Sequence, residues 1–186
     1  AQITPHGEAM AQLPVSPRLA HMLLTAKQRG WGSLACYVAA LLSERDILQQ
    51  RRQSDLQQRI DALRKSPGAY GVIHKNAQHL SQQLKMKLNP GALNAPEAQT
   101  ELGFLVGLAY PDRLAQHRPG KAPRFLLSGG RGAILPDHDA LADRQYLAVA
   151  DLDGHPREAK IYLAAALDRD QVEALTQGQV KTGIRV

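Results

Sequence analysis

The chain has 186 residues, 44% of them apolar, and a formal net charge of +6. That balance supports a packed core, argues against wholesale disorder, and leaves room for one ordinary domain or two small ones. A single cysteine, Cys36, excludes an internal disulfide and a multi-cysteine zinc site, and fits a reducing, cytoplasmic setting.

The first half reads as helices. Thr4-Pro5 offers an N-cap followed by a first-turn proline, with a short helix through Met10. Ser16-Pro17 repeats the device, and Leu19, Met22, Leu23 and Ala26 give one buried helix face that stops at Gly30. Ser33 is the expected cap of a third helix, Leu34 to Leu42, apolar all round and therefore central in a bundle. Ser54 and Gln57 form a capping-box pattern ahead of Leu56, Ile60 and Leu63. Ile73, Ala77, Leu80, Leu84 and Leu88 predict a longer helix ended by Asn89-Pro90-Gly91, with Lys75, Lys85 and Lys87 outside. Thr100 opens a last helix, with Leu102, Leu105, Val106 and Ala109 inward and Pro111 as its break.

The period then changes. Arg124 to Leu127 and Ala133 to Leu135 read as paired strands around the turn Ser128-Gly-Gly-Arg-Gly132. Gln145 to Leu152 and Glu158 to Ala166 are two more, joined by Asp153-Gly154-His155-Pro156. Asp168 and Gln171 cap a short helix, and Gln179 to Val186 reads as a fifth strand. Helices first and antiparallel strands second predict an α+β chain of two units, with the boundary near Arg118 to Pro123. The strand unit fits a small barrel of the OB type or any small antiparallel sheet packed on helices.

Charge is uneven. Residues 1–93 hold 12 basic and 5 acidic residues, residues 94–186 hold 11 and 12, and Arg113 to Arg131 carries five bases without an acid. Such a stretch is either a solubilising surface or a polyanion site. Tyr110, Arg113, Arg118, Lys121, Arg124, Phe125 and Arg131 interleave aromatics with cations, the chemistry that stacks bases and pairs phosphates, although Tyr110 and Phe125 also suit a core.

Catalytic patterns are missing. The Gly120-Lys121 pair is followed by Ala122, so no phosphate loop with a magnesium-holding hydroxyl exists. Asp137-His138-Asp139 reads as a solvated turn rather than a metal cluster. His74 and His79 are five apart and do not share a helix face as a zinc pair would. His21 reads as a partly buried packing residue, and Cys36 as core. The longest uncharged run, Gly30 to Ser43, is too short for a bilayer's roughly 20 residues, and no secretory leader is visible, so no membrane partner is expected.

Several strings carry a resemblance. The passage from Ile3 to Leu23 (ITPHGEAMAQLPVSPRLAHML) is similar to the stretch of DEAH-type ATP-dependent helicases where a winged-helix domain runs into the helicase-associated helical domain. Ala39 to Asp46 (AALLSERD) resembles the helix end that follows in the bacterial HrpB-type branch. Ala109-Tyr-Pro-Asp-Arg-Leu-Ala115, Arg124 to Ala133 and Val149 to Gly154 resemble HrpB-type strings in the same order, with glycine at position 129 where that family often has asparagine.

The resemblance implies an excised piece of a helicase. Residues 1–15 would end the winged-helix region, 16–118 form the helical domain and 119–186 a partial OB-like domain. No cofactor is expected in this chain; ATP and magnesium would belong to ATPase domains outside it, which would also be its protein partners. The expected ligand is single-stranded RNA or DNA, held by Tyr110, Arg113, Arg118, Lys121, Arg124 and Arg131 at the joint of the two domains, with no catalytic or metal residue. The alternative is a structural or protein-docking module that touches no nucleic acid, using the amphipathic helices at 54–64 and 73–88.

Overall fold

A computed structural model describes residues 3–48 and 53–181. By internal contacts the chain forms two compact units: Ala1–Leu48 with Gln57–Glu101, and Gln49–Leu56 with Leu102–Val186.

The first unit is helical: α1 (Pro5–Ala11), α2 (Pro17–Gln28), α3 (Gly32–Ser43), α4 (Leu56–Lys65), α5 (Gly71–Gln83) and the short α6 (Glu97–Thr100), the last preceded by a 3-10 turn at Pro90–Asn94. Thr4 and Ser16 cap α1 and α2, accepting from the amides of Gly7 and Leu19. The central place expected for α3 is realised, since Leu34 through Leu41 are all buried and the helix packs on both α2 and α5. Its N-terminus differs from expectation. The helix begins two residues earlier, at Gly32 after Trp31, and the Ser33 hydroxyl instead accepts from the Asn89 amide at 2.9 Å.

Two helices end by the same device. In α2, Gly30 N–H bonds Lys27 O and Trp31 N–H bonds Ala26 O, with Gly30 at φ +82°, a Schellman motif. In α5, Lys85 N–H bonds Gln82 O and Met86 N–H bonds Ser81 O, with Lys85 at φ +56° in the glycine position. That turn stops α5 at Gln83, short of the expected Leu88, although Leu84 and Leu88 stay buried. The Lys27 ammonium donates to Leu84 O at 2.6 Å and so serves the open end of α5 with a cation.

The second unit is a barrel with helices. It comprises α7 (Leu102–Ala109), a 3-10 turn at Pro111–Arg113, β1 (Leu114–His117), β2 (Arg124–Leu127), β3 (Gly132–Ile134), β4 (Tyr146–Leu152), β5 (Glu158–Leu167) and α8 (Arg169–Lys181). The strands close in the order β1-β2-β3-β5-β4, with β4 pairing back on β1. Among these five strands only the β3–β5 pair is parallel. This is an OB-like ring, and it closes within the described residues. Phe125, Leu127, Ala133, Leu135, Leu147, Val149 and Ile161 fill its interior.

Other expectations are corrected here. The barrel includes β1, which lies before Arg118 and which the sequence pattern does not identify, and the long segment of the unit begins at Leu102 with α7. The change of unit therefore falls ahead of the Arg118–Pro123 stretch, because α7 packs on β4 and β5. Thr100 does not open α7; its hydroxyl donates to Pro96 O. Residues 179–181 lie in α8 rather than a strand, and 182–186 fall outside the described residues. Ser54 is no helix cap. Its amide donates to Asp139 Oδ2 and its hydroxyl to Ile161 O, while its own carbonyl accepts from Ala164. Asp139 is accordingly buried and also holds the Leu141 amide, so the expected exposed turn is present at Asp137 and His138, while Asp139 itself is a structural joint.

Candidate nucleic-acid interface

All six predicted site residues belong to the barrel unit, so the expected placement at a joint of two domains is replaced by positions on the β1–β2–β3 segment and its approach. The structure divides them between the two ends of the β1–β2 hairpin.

At the turn end stand Tyr110, Arg113 and Arg131. The Arg113 guanidinium lies 4.8 Å from the centroid of the Tyr110 ring and donates to Ala150 O at 3.0 Å. Arg131 donates to His155 O at 3.4 Å and so ties the β2–β3 turn to the β4–β5 loop. Both arginines thus have a bracing task within the barrel. Phe125 is wholly buried and serves the core.

At the loop end stand Arg118, Lys121 and Arg124. Residues 118–123 connect β1 to β2; the Arg118 amide bonds Arg124 O, Arg124 N–H bonds Ala122 O, and Gly120 turns at φ +115°. Arg118 and Lys121 are exposed. Arg124 points outward because Phe125 and Leu127, its alternate neighbours, point into the barrel. Its guanidinium lies 3.6 Å from the Glu158 carboxylate with 55% of its side chain exposed, a weak surface pair that a polyanion can compete with.

The ladder register adds residues that the sequence pattern alone did not single out. Arg124 is opposite Ile134 on β3, which is opposite Lys160 on β5. Two strand spacings put Arg124 and Lys160 about 10 Å apart on one outer face. Tyr162 follows on the same face of β5 and is 50% exposed, and Leu126 follows Arg124 on β2 at 49%. A signal existed for Lys160 and Tyr162: Ala159, Ile161 and Leu163 alternate with them, and the apolar set had to face inward.

No family model matches the chain. Against curated proteins it is 33% identical over 174 residues to the ATP-dependent RNA helicase HrpB of Escherichia coli K12, covering 92% of this chain and 19% of that protein. The chain is homologous to a small part of an HrpB helicase. Two solved structures agree. A crystal structure of the E. coli DExH-box NTPase HrpB aligns at TM-score 0.72 with 28% identity, over 94% of this chain and 20% of that one. A crystal structure of the E. coli DEAH/RHA helicase HrpB aligns at 0.70 with 27% identity, over 89% and 19%.

The strings that carry the likeness to HrpB turn out to be joints of the fold. Asp46, closing Ala39–Asp46, grips the buried Arg59 through two bonds of 2.6 and 3.1 Å. The Tyr110–Arg113 and Arg124–Ala133 strings meet each other: the Ser128 hydroxyl donates to Pro111 O, and Gly129 N–H to Asp112 O. Asp153 orders the β4–β5 loop by accepting from His155 N–H and Lys160 N–H, and the His155 bond holds its carboxyl below the ordinary value.

Proposed function

We propose that the barrel of this chain is a single-strand nucleic-acid contact of an ATP-dependent helicase, with Arg118, Lys121, Arg124 and Lys160 meeting phosphates and Tyr162 offering a ring for a base. The observation that carries this reading is the outward set of exposed cations, with Tyr162 beside Lys160 on the outer face of β5, together with the likeness to HrpB. Arg113 and Arg131, already bonded to carbonyls, contribute chiefly by holding the surface in shape. Tyr110 belongs with them as the ring under Arg113. ATP and magnesium would be bound by parts of a helicase outside this chain, whose own sequence has no phosphate loop.

Fluorescence anisotropy of labelled oligo-U and oligo-dT at low salt tests the proposal. The triple variant Arg118→Glu, Lys121→Glu, Arg124→Glu should weaken binding at least about tenfold. It should also flatten the salt dependence by about 2 units of slope, at roughly 0.7 for each phosphate no longer neutralised. Absence of binding by the parent chain, or an unchanged affinity and slope in a folded triple variant, would refute it. A module that only docks protein would give the former result.

A further inference from the structure

The helical unit holds a cleft of its own, lined by none of the barrel residues. It has a volume of about 340 Å3, at the lower end of the roughly 300–1,000 Å3 that small ligands occupy. One wall is the α2–α3 corner, with Arg29, Gly30, Trp31 and Ser33; the other is the turn Asn89–Ala95 and Glu97. The corner's shape follows from the Schellman end of α2. Gly30 at φ +82° reverses the chain within one residue and brings the side chains on either side of it together. The Arg29 guanidinium accordingly lies 5.5 Å from the centroid of the Trp31 ring.

The opposite wall is fixed by Asn89. Its amide donates to Ser33 Oγ at 2.9 Å, and its side-chain oxygen accepts from Gly91 N–H at 3.0 Å. The lining therefore joins polar groups to the indole, with Leu34, Ala92 and Ala95 as its other apolar members. This is the chain's single tryptophan, and the core does not use it: Trp31 is only half-buried, while leucines, alanines and Tyr37 fill the unit's interior.

We infer that this cleft binds a guanine nucleotide unit, with the base on the face of Trp31, its phosphate at Arg29 and its donor edge at Glu97. An indole face stacks any base. A guanidinium pairs phosphate oxygens bidentately. A carboxylate only accepts, so it selects the base that presents two adjacent donors, and guanine alone does so with N1–H and the exocyclic amine. The unit is either a free nucleotide or a guanosine within a strand; both present the same ring and phosphate.

Trp31 is its own reporter. The 186-residue chain is titrated with GMP, AMP, CMP and inorganic phosphate while indole emission is followed. Saturable quenching by GMP is expected, with AMP and CMP roughly tenfold weaker and phosphate silent. Glu97→Gln should remove that preference while AMP binding changes little. Trp31→Phe, followed by calorimetry, should keep GMP binding within about threefold, and Trp31→Ala should lose it. A U-rich octamer with one central G, compared with all-U, separates a strand source from a free nucleotide. No quenching by GMP to about 5 mM would overturn the inference, as would equal response to all three nucleotides or an unaltered preference in Glu97→Gln. The barrel triple variant, with its cleft intact, should bind GMP normally, so the two proposals fail separately.

Discussion

Asp46 and Arg59 form the most consequential polar pair among the described residues. Arg59 is 3% exposed, and two of its donors reach one carboxylate that also accepts from Leu48 N–H. Partial burial raises the Asp46 pKa, but the hydrogen bonds from Arg59 and Leu48 and the guanidinium charge outweigh it, and the net shift is downward from 3.8. A carboxyl held below its unfolded value adds stability above that value and loses it as pH falls through the folded one. Acid titration of the helical content should therefore show a loss beginning below about pH 4 that Asp46→Asn lacks. Asp46→Ala removes both of these bonds from a buried guanidinium and should cost about 2–3 kcal/mol in urea unfolding, tempered by the 31% exposure of Asp46. Cys36 illustrates the opposite case: fully enclosed on α3, its thiol is pushed up to about 12 by burial, so it packs as a small hydrophobe.

Helix ends and helix-to-strand contacts decide the elements. Lys85 occupies the left-handed position of the α5 Schellman motif, where a side chain costs about 1 kcal/mol or more. Lys85→Gly should raise stability by about 0.5–1 kcal/mol, read as a shifted thermal midpoint, and leave the fold unchanged. Gly103 makes the contrasting case. A Cβ there would come within 2.0 Å of Ala166 O, because α7 lies backbone-to-backbone on β5. Gly103→Ala should force the helix outward and cost about 2–4 kcal/mol, with weakened amide protection in β5 as the accompanying signature. Gly107 has a similar place at the α7–α8 contact, its Cβ position 2.4 Å from a Leu175 methyl, but a side chain can yield where a carbonyl cannot.

At the scale of the whole molecule the two units have separate cores and separate candidate sites. Lys85 and Gly103 lie in different units and share no partner. Their substitutions should add within about 0.5 kcal/mol in the double variant; a larger deviation in denaturant melts would reveal coupling between the units. Among the described residues no helix is long and apolar enough to cross a membrane.

Much was legible from residue order alone. Proline-led caps placed α1 and α2, the apolar surround of α3 placed it centrally, and β-type runs on either side of Asp153-Gly154-His155-Pro156 placed β4 and β5, because these features depend on neighbours within a few positions. The α+β order and the likeness to HrpB strings came from the same local record. Tertiary structure decided the rest. Leu114–His117 is a strand only because β2 and β4 both pair with it, and four residues carry too little pattern to announce that. Ser54 has the spacing of a helix cap yet serves the barrel through Asp139 and Ile161, partners more than 80 residues away. The basic run from Arg113 to Arg131 looked uniform in sequence. Closure of the ring sent its members to opposite ends of one hairpin and brought in Lys160 and Tyr162, because hydrogen-bond register, not chain distance, sets which side chains share a face.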